Sequence, residues 1–325
     1  MQVSRRRFLH VAASVAALPV TSRFAAAQNY PTRPVRLIVG TAAGGSSDLV
    51  GRLIAQWLSE RLGGQFVVEN RTGAGNNIAT ETVVNAAPDG HTLLLASTAG
   101  AINASLYRNL KFNFIRDVVP VASIVGTAYV IEVNHSVPAK SLPEFIAYAK
   151  ANPGKITMAS PGIGSGPHMA GELFKMMAGI DLLHVPYRGT APAHTDLLGG
   201  QVESMVDGIL GSIEFINSKK LRALGVSTLT RSPVLPDVPT VNEFVPGYEA
   251  TGWFGIGAPR NTPRAIVEIL NKEINAGLEN PLIKARLEGL GGRILGGSSG
   301  NFAAFIANET EKWGKVVKFA NLSPI

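Results

Sequence analysis

From residue 35 to residue 226 the chain alternates short apolar runs with longer amphipathic stretches, and few folds satisfy that alternation. The runs at 35–39, 66–69, 92–96, 127–133, 156–159, 183–185, 204–207 and 221–226 read as strands. Between them, 48–62, 75–87, 103–110, 142–150, 168–178, 192–198 and 213–217 read as helices. Strands apolar on both faces suit a parallel sheet covered by helices, so the chain is predicted to be α/β and built from βαβ units. The pattern then changes. Residues 231–246 hold Pro233, Pro236, Pro239 and Pro246 and read as loop, 253–258 reads as a strand, and 263–278, 281–290 and 301–319 read as helices. Thr262-Pro263 and Asn280-Pro281 each place a capping residue before a proline at the first helical position.

A length of 325 residues suits two domains. The expected division is 28–125 with 250–325 as the first and 126–249 as the second. The chain would leave one domain, build the other and return, so two crossings would make a hinge and the cleft between the domains would take a ligand.

Residues 1–27 are expected to be a cleaved signal peptide. Ser4-Arg5-Arg6-Arg7-Phe8-Leu9 has a twin-arginine look, 11–20 is mildly apolar, and Ala25-Ala26-Ala27 offers small residues before a mature start near Gln28. Export by the twin-arginine route to the periplasm is the expectation. That segment holds Arg5, Arg6, Arg7 and Arg23 and no acid, so the whole-chain charge of +7 falls to +3 in the mature chain. So small a balance, with no basic run, does not point to nucleic acid. The chain has no cysteine, which excludes disulfides, thiolate metal sites and a cysteine nucleophile.

Two Gly/Ser-rich turns carry the functional signal. Ala43-Gly44-Gly45-Ser46-Ser47-Asp48 follows the first strand, and residues 160–168, ending Gly164-Ser165-Gly166-Pro167-His168, follow another. A helix start has N–H groups without partners and a dipole that favours anions, and glycine lets a ligand come close. Two such turns, one per domain, would clamp a small anion. Asp48 is expected to cap its helix or to lock the turn by accepting from the Ser46 N–H. Ser97 and Thr98 form a third strand-end turn. Tyr187 is placed to cover the cleft, Arg188 to pair with a carboxylate or stand in solvent, and Asp207 lies at a strand's carboxyl end, where open α/β sheets bind ligands. Trp253 and Phe254 read as core or hinge packing.

Other chemistries fit less well. The glycines at 162, 164 and 166 lack the Lys-Ser/Thr ending of a phosphate loop and the last glycine of the dinucleotide fingerprint. His168 and Glu172 stand one helical turn apart, but two ligands without a third make a poor metal site. Ser165 and His168 have no carboxylate placed to orient the histidine, so no catalytic residue is assigned. No cofactor is expected.

The motifs taken together resemble the Bug-type, tripartite tricarboxylate transporter substrate-binding family of extracytoplasmic receptors. The markers are Tyr30-Pro31-x-Arg33-Pro34-Val35, Ala43-Gly44-Gly45-x-x-Asp48, Glu69-Asn70-Arg71-x-Gly73-Ala74-Gly75 and Ala87-Pro88-Asp89-Gly90. Gly164-Ser165-Gly166-x-His168-Met169-Ala170-Gly171-Glu172, His184-Val185-Pro186-Tyr187-Arg188-Gly189, Asp196-Leu197-Leu198-Gly199-Gly200 and Leu235-Pro236-Asp237-Val238-Pro239-Thr240 follow in order. The resemblance implies a periplasmic-binding-protein fold whose interdomain cleft holds a carboxylate by backbone N–H groups and ordered water. It implies ligand contacts from Ala43, Gly44, Gly45, Ser46, Asp48, Gly164, Ser165 and His168, with help from Ser97, Thr98, Tyr187 and Asp207. Gly40-Thr41 where the family has Pro-Phe, Arg188 for a common lysine and Asn113 for a common aspartate bear on which ligand fits. The implied function is capture of a small carboxylate by domain closure and delivery to a membrane permease, by a monomer. A receptor for a membrane sensor kinase and a periplasmic enzyme acting on a carboxylic acid are the alternatives.

Overall fold

A computed structural model describes residues 30–319; the expected signal peptide lies outside the described residues. In chain order the elements are β1 (Val35–Val39), α1 (Ser46–Leu62), β2 (Phe66–Asn70), α2 (Asn77–Val84), β3 (Thr92–Ser97), α3 (Thr98–Leu106), α4 (Phe114–Asp117) and β4 (Val118–Val133). Next come α5 (Leu142–Ala151), β5 (Thr157–Ser160), α6 (Gly166–Ala178), β6 (Leu183–Pro186), α7 (Thr190–Leu198), β7 (Ser204–Gly208), α8 (Ile209–Asn217) and β8 (Arg222–Val226). The chain closes with β9 (Thr251–Pro259), α9 (Arg264–Glu279), α10 (Pro281–Gly289), β10 (Gly292–Ile294) and α11 (Ser299–Phe319).

The fold is α/β, with strand order β2-β1-β3-β9-β4-β7-β5-β6 and with β8 and β10 also paired to β4. The βαβ expectation holds at the two ends, where β1 lies parallel to β2 and β3, and β5 parallel to β6 and β7. The middle departs from it. β4 is 16 residues long, starts at Val118 rather than near 127, and runs antiparallel to β9, β7, β8 and β10. A strand that leaves one lobe and a strand that returns to it travel in opposite directions, so where they meet they pair antiparallel. β4 pairs with β9 as far as Ala128 and with β7 from Tyr129 onward. The short strand β10, in the stretch between two expected helices, adds to the edge of β4 at Val125–Thr127.

The first lobe packs α1, α9 and α10 on one face of β1, β3 and β9, through Leu37, Val39, Ile54, Leu58, Leu93, Leu95, Leu270 and Ile274. The Trp57 indole N–H donates to the Glu273 carbonyl at 2.7 Å, which ties α1 to α9. Trp253 on β9 lies edge-on to Phe302 of α11, with ring centroids 5.6 Å apart. Its indole N–H and that of Trp313 both donate to Glu309 Oε2, at 3.2 and 3.0 Å. The second lobe packs α5 and α6 against the sheet through Phe145, Phe174, Met158 and Val206. The carboxyl ends of β1, β3, β5, β6 and β7 therefore all lead into helices at the line where the lobes meet.

Candidate functional site

Five helices begin around one closed cavity. Ser46 and Ser47 open α1, Thr98 and Ala99 open α3, Gly166 and Pro167 open α6, Thr190 opens α7, and Gly208 immediately precedes α8; all of them line it. The cavity volume is about 50 Å³. At about 10–15 Å³ per water-sized sphere that is room for a few waters or a short polar ligand. At four of the five starts the residue before the helix makes no side-chain cap: Gly45, Ser97, Gly189 and Gly208. Their first-turn N–H groups stay available and each dipole favours an anion. Only at α6 does the Ser165 hydroxyl accept from His168 N–H, at 3.3 Å.

No lysine or arginine lines the cavity, and Asp207 is its one carboxyl. Three of its polar side-chain atoms are buried without a partner: Thr41 Oγ1, Ser46 Oγ and Asp207 Oδ2. A buried polar atom left unpaired costs about 1–3 kcal/mol, so these atoms mark where water or a ligand belongs. Asp207 Oδ1 accepts from Thr190 Oγ1 at 3.0 Å. Burial raises the Asp207 carboxyl most, and Glu132 raises it further. Against His194 and the Gly208 and Thr190 donors, the outcome is a pKa pushed up to about 7. Tyr129, also in the wall, is held well above the usual phenol range by burial. Its hydroxyl fills the space that a side chain at Gly166 or Gly252 would need.

The residues singled out in the sequence divide into three groups by position. Ser46, Ser97, Thr98, Ser165 and Asp207 line the cavity together. Gly44, Gly45, Asp48, Gly164 and His168 build its turns. Asp48 locks the first turn by accepting from Gly44 N–H at 2.9 Å, rather than from Ser46, and from Arg52 Nε at 2.8 Å. Its burial disfavours the charge, but the donors Arg52, Gly44 and Asn70 outweigh that and lower its pKa. Gly164 N–H is directed to His168 Nδ1 at 3.3 Å, and the Gly164 Cα packs on Asn103. Ala43 is exposed, and Tyr187 stands outside the cavity with its hydroxyl on Asp196 Oδ2 at 2.6 Å. Arg188 and Tyr187 border a separate open groove.

Sequence reading marked Thr41 as bearing on which ligand fits but missed Asn76, Thr127, Tyr129 and Thr190 as lining residues, and it placed Trp253 and Phe254 in the packing, where they also line the cavity. One signal was available for part of this set. Ser46, Thr98 and Thr190 are each a hydroxyl residue at the first position of a helix. Tyr129 carried no such mark, because an apolar strand gives no hint of which of its residues reaches a cleft.

The lobes touch at the rim. Ala42 N–H donates to the Arg188 carbonyl at 3.1 Å, from the first turn of one lobe to the β6–α7 turn of the other. Gly189, at φ +132°, packs so closely that a Cβ there would sit 2.7 Å from Ala42 N, and a Cβ on Gly45 would sit 2.9 Å from Thr190 Cβ. The cleft is closed in this structure.

A second cluster lies behind the α6 turn, where β6 brings His184 to His168 and Glu172; their ligand-type atoms all lie within 4.8 Å of one another. This is the third group that the sequence lacked. Its hydrogen bonds work against a cation, however. Gly164 N–H occupies His168 Nδ1 and so leaves the proton on Nε2, the nitrogen facing Glu172 at 3.9 Å. Lys175 Nζ already sits 3.0 Å from Glu172 Oε1. Burial, with Lys175 and His184 nearby, lowers His168 to about 3, and burial and Lys175 lower His184 to about 4. The two rings stack as neutral imidazoles, with centroids 4.2 Å apart.

Comparison with known proteins agrees with the geometry. The profile of the tripartite tricarboxylate transporter family receptor matches residues 50–322. The structure of R. palustris Rpa4515 with adipate superposes with a TM-score of 0.88 at 36% identity, over 91% of this chain and 100% of that one. The periplasmic binding protein BugD gives a TM-score of 0.87 at 37% identity, over 90% and 99% of the two chains. MatC of Rhodopseudomonas palustris with bound malate gives 0.85 at 32% identity, over 89% and 100%.

Proposed function

Because the chain belongs to the tripartite tricarboxylate transporter family of receptors, a family of solute-binding proteins rather than enzymes, we propose that it captures a small dicarboxylate by closing its lobes and hands it to a membrane permease. The carrying observation is the ring of five helix starts around a closed cavity that holds no cationic side chain. Such a ring offers many fixed N–H donors to an anion. Adipate in one relative and malate in another support the ligand class.

Ser46, Ser97, Thr98, Ser165 and Asp207 touch the acid in this reading, joined by Thr190 and Tyr129. Gly44, Gly45, Asp48, Gly164 and His168 hold the turns that present the N–H groups, while Ala43 and Tyr187 belong to the rim. The lobes divide at 28–125 with 250–325 and at 126–249. The change of β4 partners after Ala128 and the start of β9 at Thr251 support both crossings. Ligand that touches both lobes only when they are closed shifts the hinge population by its differential affinity. Charge-assisted hydrogen bonds of about 1.5–3 kcal/mol each are sufficient for that bias. The protein works in the periplasm as a monomer, after twin-arginine export and removal of residues 1–27. Among the described residues no helix is long and apolar enough to cross a membrane.

The test is a thermal-shift screen of four- to six-carbon mono- and dicarboxylates, followed by calorimetry and mass analysis of the recovered acid. Saturable binding of a dicarboxylate that returns unchanged is expected. Conversion of the acid, or equal stabilisation by monocarboxylates and dicarboxylates, would refute the reading.

A further inference from the structure

A cavity built for an acid contains an acid of its own, and the two charges conflict. Asp207 is 1% exposed, and its Oδ2 has no partner and lies in the cavity wall beside Ser46 Oγ. Both atoms crowd against Gly211 on α8. A Cβ on Gly211 would lie 2.7 Å from Ser46 Oγ and 2.8 Å from Asp207 Oδ2. No lysine or arginine in the lining compensates a second negative charge.

The charged groups around Asp207 compensate it only in part. On β4, Glu132 is fully buried; on α7, His194 Nε2 meets Glu132 Oε1 at 2.7 Å; on α8, Ser212 Oγ donates to the same oxygen at 3.0 Å. Burial disfavours a charge on His194, yet Glu132 outweighs it and holds the imidazole above its ordinary pKa. Seen from Asp207, His194 lowers the carboxyl and Glu132 raises it, and burial still leaves it well above the usual carboxylate range. Tyr129, the other titratable group in the wall, stays protonated. The helix starts favour the ligand's charge, while burial in a wall without a cationic side chain disfavours a charge on Asp207 itself.

We infer that the receptor takes up its ligand together with one proton, Asp207 in its acid form donating Oδ2–H to a carboxylate oxygen of the bound acid. This rests on the carboxylate reading above. The proton comes from solvent as the lobes close, and the one bond formed is the Asp207 O–H. Asp207 therefore selects for an acceptor at that point of the ligand, and it makes capture stronger as the medium becomes more acidic. The sign follows from linkage. Asp207 binds a proton in the closed, liganded form at a pH where an open, hydrated carboxyl does not, so affinity rises as pH falls.

Calorimetry with malate and adipate, run in phosphate and in Tris, reads the proton directly. Net uptake of a fraction of a proton per ligand is expected at pH 7, shrinking toward pH 8 as the Asp207 carboxyl ionises, with affinity falling as pH rises. Asp207→Asn carries a permanent N–H donor, so its affinity should be flat with pH and should exceed the wild type at pH 8 by more than about tenfold. Binding without proton uptake would overturn the inference and leave the carboxylate reading standing; Asp207 would then be ionised and facing a hydroxyl or ammonium of the ligand. Loss of binding in a folded Asp207→Asn at every pH would also overturn it. Failure of both acids and of the wider screen would remove the carboxylate reading, and the inference with it. If Asp207→Asn does not fold, the wild-type proton count still decides.

Discussion

Gly189→Ala tests whether the closed rim is part of binding. The substitution has two separable costs. Gly189 sits at φ +132° and ψ 173°, a region essentially reserved for glycine, and a methyl there costs about 1–3 kcal/mol. That strain is local to the turn and falls on open and closed forms alike, so it lowers stability without changing closure. The second cost exists only when the lobes meet. The new Cβ would stand 2.7 Å from Ala42 N, inside any normal contact, and backbone cannot swing aside as a flexible side chain does. The rim must back off, and the 3.1 Å bond from Ala42 N–H to the Arg188 carbonyl goes with it. A lost hydrogen bond is worth about 0.5–1.5 kcal/mol, and leaving both groups poorly solvated adds to it. A penalty of about 1–2 kcal/mol on the closed form corresponds to a Kd raised about 5- to 30-fold. Calorimetry with the best dicarboxylate from the screen measures that, and small-angle scattering measures closure at saturation. Gly179→Ala is the control. It adds a methyl at φ +62° with nothing within 4 Å, so it should lower the melting temperature and leave Kd alone. If Gly189→Ala lowers the melting temperature but keeps Kd within twofold of the wild type, the rim contact does not take part in binding and the argument fails.

Ser46→Ala removes an unpartnered buried hydroxyl at the first position of α1 and should weaken dicarboxylate binding by about 1–2 kcal/mol in calorimetry, with little change in urea stability. Glu132→Ala strands the charged His194 in a site where both side chains are almost wholly buried and should cost about 3–5 kcal/mol in urea unfolding. His194 itself has a raised pKa, so its contribution to stability is complete below the ordinary histidine value of about 6.5 and is lost as pH rises through the higher folded value. The wild type should lose stability across that window, and Glu132→Gln should lose less. Asp48→Ala releases Gly44 N–H, Arg52 and Asn70 at once and should weaken binding through the turn while Asp48 itself touches no ligand; unchanged affinity would separate the turn from the site.

The lobes at either end of the sheet were legible because their physics is local. A buried parallel strand needs a continuous apolar run and an exposed helix needs a stripe, and both leave marks within a dozen residues. The middle was not legible for the same reason. Val118–Gly126 of β4 contains Pro120 and Ser123 and precedes the strand expected from 127. It is a strand because β9, more than 120 residues later, arrives beside it, and pairing across such a separation leaves no local pattern. β10 is the extreme case, three residues held at the edge of β4.

The site divides along the same line, and the division explains its chemistry. Turns rich in glycine, serine and threonine announce helix starts, so α1, α3 and α6 were visible and Asp207 pointed to α8, but the start at Thr190 looks ordinary until the fold brings it to the others. Each start carries roughly half a positive charge that belongs to the backbone and appears in no count of lysines and arginines. That is why a chain whose formal charge beyond residue 27 is only +3 can still offer an anion site. The choice has a physical consequence. An arginine would hold any carboxylate strongly in the open cleft, since its charge travels with one lobe. Dipoles contributed by α1 and α3 from one lobe and by α6, α7 and α8 from the other add up only after closure. If closure also takes Asp207 out of water, the burial that raises its pKa in this structure comes with it. Attraction for the ligand and protonation of the one acid in the wall would then be produced by a single movement, and opening the hinge would reverse both.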